Sequence, residues 1–204
     1  MSVASRALAR KTAASSRRIA LGAIGLAAVL VPAIQHAVWA GVEEGLAAAQ
    51  QGDYATALSE WGPLAEGGEP AAQYYLGRLY EQGKGVKRDL EAAIAWYRKA
   101  AEQGHAASQN SMGGLYERGG AGGPPDYAEA ARWYLLAAGQ GEPHALLNLA
   151  VMYHDGRGVQ ANPAEAMHWA LAAARQGHAV AQTLVGNAYY TGEGVEADYD
   201  EAIR

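Results

Sequence analysis

Residues 74–104 contain Tyr74-Tyr75-Leu76-Gly77-Arg78-Leu79-Tyr80-Glu81-Gln82-Gly83-Lys84-Gly85-Val86, then Asp89, Ala93 and Trp96-Tyr97, and close on Gly104. The landmarks of this stretch return down the chain. Tyr80 is followed by Tyr116, Tyr153 and Tyr189, and Asp89 by Asp126, Asn162 and Asp198. Trp96 is followed by Trp133 and Trp169, and Gly104 by Gly141 and Gly177. Each column repeats every 36 or 37 residues. One period shared by four columns marks a tandem array. Its units are 69–104, 105–141, 142–177 and a partial 178–204, with a divergent pair of helices over 41–68 in front.

Each unit reads as two helices. Over 70–82, Ala72, Leu76, Leu79 and Tyr80 share one face at helical spacing. Gly83 stops that helix and Gly85 follows it, a pair that recurs as Gly156/Gly158 and Gly192/Gly194. Glycine past a helix end takes the left-handed conformation cheaply. The second helix starts at the Asp/Asn column, where a side-chain oxygen accepts orphan backbone N–H groups. Asn162-Pro163 adds proline at the first helical position. In the leading pair, Ala57, Leu58, Trp61 and Leu64 form the apolar face, and alignment of Asp53 with Asp126 puts Trp61 in the slot of Tyr134. The expected fold is all-α, a right-handed α/α solenoid of helix–turn–helix repeats. A solenoid ordinarily caps its last unit, so a stop at Arg204, inside a helix, suggests a fragment or a truncated frame.

The pattern Leu76-Gly77, Tyr80, Gly83-Lys84-Gly85-Val86, Trp96-Tyr97, Ala100-Ala101, Gly104 closely resembles the Sel-one-like repeat (SLR) family, relatives of tetratricopeptide repeats. The resemblance covers about residues 41–204. Unit two departs in its loop, 119–125, and has Met112-Gly113 for Leu-Gly; unit three has Leu149-Ala150, and Ala170 in place of the second aromatic of Trp-Tyr. The resemblance implies a superhelix acting as a scaffold or adaptor for protein complexes, often in bacterial envelopes. It also implies a rival, since some cysteine-rich members act on β-lactams. The cysteines of those members are absent here, because the chain has no Cys.

The N-terminal forty residues have a different character. Five of the 16 Lys/Arg fall in 1–40, which hold no acid; residues 41–204 then hold 11 basic and 21 acidic residues, a net −10. A basic start, an uncharged apolar run over 19–34 and Val38-Trp39-Ala40 before Gly41 make the layout of a secretory signal. The apolar run is shorter than the roughly 20 residues that span a membrane comfortably, which favours cleavage near Ala40 over a retained anchor. Ser16-Arg17-Arg18 hints at a twin-arginine signal, and a mitochondrial presequence is the alternative address. The expected location is the periplasm or cell envelope, or outside the cell. The acidic body is a poor partner for nucleic acid or an anionic membrane.

No catalytic constellation emerges. The Gly-x-Gly loops lack the strand context and Lys-Ser/Thr ending of a phosphate loop. The periodic Trp and Tyr columns suit packing better than sugar stacking. His105 and His178 alternate with Glu69 and Glu142 in the inter-unit turn, and His154, Asp155 and His168 complete no metal triad. No cofactor or metal is expected. A binding surface is better supported. One first-helix column lies opposite the packed face and varies from unit to unit. It comprises Tyr74, Arg78 and Glu81; Asn110, Gly114 and Glu117; Leu147, Val151 and His154; and Thr183, Asn187 and Tyr190. If first helices line the concave side, this column is a groove for a peptide or protein. The expected function is therefore non-catalytic scaffolding. Its rivals are a cell-wall or β-lactam-acting enzyme or its regulator, and a structural segment of a longer protein.

Overall fold

The computed structural model describes residues 36–120 and 122–203. The expected signal over 1–40 lies outside them except for its last five residues, as does the end at Arg204. The described residues form helices and turns with no strand. Helix α1 occupies 36–50 and runs through Ala40 and Gly41 without a break. The others are α2 Tyr54–Glu66, α3 Pro70–Gln82, α4 Leu90–Glu102, α5 Ala106–Glu117 and α6 Tyr127–Ala138, then α7 Pro143–Asp155, α8 Pro163–Arg175, α9 Ala179–Thr191 and α10 Tyr199–Ala202. From α2 onward each packs against its neighbours in chain order. Hairpins α3/α4, α5/α6, α7/α8 and α9/α10 are the four repeats, stacked as an α/α solenoid.

The sequence columns account for the hairpin geometry. Gly83, Gly156 and Gly192 sit at the ends of α3, α7 and α9 with φ of 69°, 69° and 78°. The carbonyl of each column tyrosine accepts from the backbone N–H of the column Asp or Asn at 2.9 Å (Tyr80 from Asp89, Tyr116 from Asp126, Tyr153 from Asn162, Tyr189 from Asp198). Two periodic columns are thus the two ends of one loop-closing hydrogen bond. The longer loop of unit two keeps this bond by spending Gly119 and Gly120, both at positive φ. The Asp/Asn side chains then cap the second helices: Asp89 accepts from Ala92 N at 2.9 Å and Asp126 from Glu129 N at 3.0 Å. Such a cap is worth about 1 kcal/mol.

The second loop glycine acts between units. A side chain at Gly158 would run into the backbone of Tyr127, and one at Gly194 into that of Pro163. Each loop therefore lies against the start of the preceding unit's second helix, at a distance only glycine permits. The core is rich in alanine. Ala57, Ala72, Ala93, Ala130 and Ala145 are fully buried, letting helices approach closely around Leu76, Leu79, Leu146 and Leu149. Tyr80 is half-buried at the edge of this face.

One packing device recurs. Tyr97 lies on Gly77 and Tyr134 on Gly113, so close that a Cβ at Gly77 would sit 2.8 Å from the ring and one at Gly113 2.6 Å. Both rings are buried, at 1% and 2% exposure. In the leading pair Trp61 takes this role. It lies on Gly45, donates from Nε1 to Val42 O at 3.1 Å and stacks on Tyr75 with centroids 4.7 Å apart.

Candidate functional site

The variable column lies on neighbouring first helices, which face one another across units. Asn148 of α7 donates to Asn110 Oδ1 of α5 at 3.0 Å, and the ring of Tyr74 in α3 lies 5.1 Å from His105 at the head of α5. Many members of the column are engaged within the array. Glu81 accepts from the Tyr97 hydroxyl at 2.8 Å and pairs with Arg118 of the next unit at 3.4 Å. Glu117 does the same with Tyr134 at 2.9 Å and Arg157 at 3.2 Å. These two carboxylates join a buried phenol to a cation from the following unit. Burial, reinforced by the carboxylate beside each hydroxyl, pushes the Tyr97 and Tyr134 phenols far above their usual range. Tyr74 carries Arg78 near its face, 5.8 Å from the ring centroid. Leu147 packs against the central core cluster.

The rest of the column lies on more open ground. Thr183, Asn187 and Tyr190 of α9 are exposed, with Tyr190 edge-on to Tyr199 at 5.4 Å. Val151, His154 and Asn187 line a cavity of about 410 Å³ between α7, α8 and α9. Its walls include Ala150, Met167, Ala170, Leu184 and Ala188. At its rim His154 Nδ1 meets Asp155 Oδ1 at 2.7 Å, and His154 Nε2 lies 3.5 Å from Glu193 Oε1. The Asp155 hydrogen bond, then the two carboxylates, raise the imidazole above its ordinary value.

The Glu/His column of the inter-unit turn stands at helix N-cap positions, where His105 and Glu142 cap with their side chains and Glu69 and His178 make no side-chain cap bond. His105 Nδ1 accepts from Ser108 N at 3.3 Å and Glu142 Oε2 from Ala145 N at 2.6 Å. Either residue type can supply an acceptor there, as His105 and Glu142 do. Burial holds His105 below its ordinary value, in keeping with an accepting, neutral ring. Among the described residues no group of three His, Asp or Glu could hold a metal ion, and no helix is long and apolar enough to cross a membrane.

Two features were missed at the sequence level. Gln73 and Gln109 are buried, donate to Ala65 O and Ala101 O at 3.1 Å, and accept from Gln103 at 2.9 Å and Gln140 at 2.7 Å. The bonds to Ala65 O and Ala101 O tie each unit to the one before it, the glutamine pairs tie the two helices of a unit, and their recurrence at the repeat period was the available signal. The cavity was also missed, although Ala170 in an aromatic slot pointed to it.

Stacked helical hairpins with a variable first-helix face define a repeat protein of the α-solenoid class. The Sel1 repeat model matches residues 70–105, 106–142, 143–178 and 179–204, starting at the first residues of α3, α5, α7 and α9, and the chain belongs to the Sel1 repeat family. Among solved structures it is similar to a protective antigen of uropathogenic Escherichia coli strains with an SLR fold, at 36% identity and a TM-score of 0.74 over 83% of this chain. It is also similar to a Sel1 repeat protein from Oxalobacter formigenes, at 35% identity and a TM-score of 0.67 over 74% of this chain. The matches span 37% and 59% of the two proteins' lengths. A search of curated proteins gives no match.

Proposed function

We propose that this chain is a non-catalytic interaction scaffold of the bacterial cell envelope, holding a peptide or protein segment against the face formed by its first helices. The observation that carries this reading is the division of labour within each unit. The positions that stack the hairpins recur, whereas the first-helix column changes from Tyr74/Arg78 to Asn110/Gly114, Leu147/Val151 and Thr183/Asn187. A face whose chemistry varies while its scaffold stays constant is how repeat arrays build extended recognition surfaces. Membership of the Sel1 repeat family supports the same reading. The basic-then-apolar segment before residue 41 supports an exported location.

Crosslinking and pulldown from native envelopes tests this, comparing the wild-type protein with Arg78→Glu. Arg78 is exposed, so its reversal leaves the stack intact. Partners captured by the wild type and lost from the variant are expected. Equal capture by both proteins, or recovery of the wild type from the cytosol alone, would refute it.

A further inference from the structure

In units one and two the space between a hairpin and the next first helix is filled by a tyrosine ring seated on a glycine. Tyr97 covers Gly77 and reaches Glu81; Tyr134 covers Gly113 and reaches Glu117. Unit three changes every member of this set. The glycine is Ala150, the tyrosine is Ala170, the carboxylate is His154, and the cation from the next unit is Glu193. The changes fit one another. A tyrosine at 170 would collide with the Ala150 methyl, as the close approach at Gly113 shows. The polar pair at the rim is kept with its roles exchanged, an imidazole standing where units one and two have a carboxylate and a carboxylate where they have an arginine.

The result is a cavity of about 410 Å³ where the array otherwise holds a phenol ring. By comparison, about 170 Å³ remains beside Trp61, the aromatic of the leading pair. An apolar cavity of roughly 150 Å³ is enough for a benzene ring. The unit-three cavity therefore has room for an aromatic side chain and the approach of its backbone. Its rim offers a donor, the His154 imidazole, and an acceptor, Glu193, 3.5 Å apart. A phenolic hydroxyl can accept from the first and donate to the second.

We propose that the cavity between α7, α8 and α9 is a tyrosine-binding pocket: a partner polypeptide inserts a tyrosine side chain into the slot that Tyr97 and Tyr134 fill in the preceding repeats. This rests on the interaction reading above and names the anchor it would use. The ring lies among Ala150, Met167, Ala170, Leu184 and Ala188, and its hydroxyl meets His154 and Glu193. Aromatic anchors in such pockets commonly carry most of the affinity of a peptide interface.

p-Cresol, the side chain of tyrosine without its backbone, is the probe. Titrated into the purified wild-type chain, it is expected to shift the methyl signals of Ala150 and Ala170 and the ring signals of His154. Toluene, which lacks the hydroxyl, should bind about 2- to 10-fold more weakly, the loss of one hydrogen bond. The variant Ala150→Gly/Ala170→Tyr rebuilds the lock of units one and two, and should lose cresol binding while keeping a helical spectrum. Absent shifts in the wild type, shifts confined to other residues, or equal binding by the rebuilt variant would overturn the proposal. The wild-type signal map decides the matter even if the rebuilt variant misfolds. Because the probe needs no partner, its failure leaves the scaffold reading to the pulldown, and failure of the pulldown leaves the pocket to the probe. Partner capture retained by a folded, rebuilt variant counts against the pocket alone.

Discussion

The glycine–tyrosine lock predicts a change of sign that neither residue shows alone. Gly113 lies in the interior of α5, where alanine is the better helix former by about 0.5–1 kcal/mol. The methyl of Gly113→Ala would, however, sit 2.6 Å from both Cδ1 and Cε1 of Tyr134. That ring is 2% exposed and its hydroxyl is held by Glu117, so it cannot swing away. Overpacking of this kind costs about 1–3 kcal/mol. The substitution should therefore destabilise by about 1–2 kcal/mol. With Tyr134 already cut to alanine the collision disappears and the propensity gain remains, so Gly113→Ala should then stabilise by about 0.5–1 kcal/mol. The interaction energy is about 2 kcal/mol, inside the range for residues in contact. The assay is urea unfolding followed by far-UV circular dichroism on wild type, both single variants and the double variant. If Gly113→Ala shifts the midpoint in the same direction in both backgrounds, the lock is not what sets glycine there.

Three further outcomes follow from the same geometry. Asp126→Ala should lower stability by about 1 kcal/mol, because its carboxylate accepts from Glu129 N at 3.0 Å; an unchanged melt would remove the cap from the account. Gly158→Ala should destabilise by more than the roughly 1 kcal/mol typical of a lost special backbone conformation, since the residue has φ of 71° and a side chain there meets the Tyr127 backbone; a variant as stable as wild type would mean the loop does not rest on α6. In an NMR titration His105 should protonate below its ordinary value of 6.5 and His154 above it. The lowered His105 removes stability as pH falls below about 6.5, because the unfolded chain then binds the proton more readily. The raised His154 contributes below that pH and loses its contribution as pH rises through its folded value. Two histidines titrating together would contradict the separate environments described.

How much was legible in the sequence depended on whether a feature is periodic. Helix starts at Asp89, Asp126, Asn162 and Asp198 and stops at Gly83, Gly156 and Gly192 stand where the columns put them, because caps and left-handed turns are local chemistry. The slot of Trp61 was also legible, since its alignment with Tyr134 placed it on the buried face it occupies. The pairing of the tyrosine column with the Asp/Asn column was not, because the bond runs through backbone groups. The first-helix column was read as one free surface. Glu81 and Glu117 instead answer to Tyr97 and Tyr134, 16 and 17 residues away. Side-chain pairs across a hairpin leave no trace in a single helix's periodicity. A comparison of columns rather than helices carries the signal, since Glu81 and Glu117 occur with a tyrosine and His154 with Ala170.

That co-occurrence bears on what the third repeat is for. Each of its changes taken singly carries a cost in the setting of the other units. Alanine at 150 with tyrosine at 170 would overpack. Alanine at 170 with glycine at 150 would widen the void and weaken the helix. Glutamate at 154 would face Glu193 without a phenol beside it, and the nearby Arg157 is already shared between Asp155 and Glu117. The observed set avoids all three costs, yet leaves a cavity at the site that an aromatic ring occupies in the other units, as Trp61, Tyr97 and Tyr134 do. Cavities in a packed core sacrifice dispersion contacts and burial. A repeat that keeps its caps, loops and glycine turns while giving up this ring has exchanged packing energy for an opening, and that exchange is useful to the chain only if something outside it supplies the missing ring.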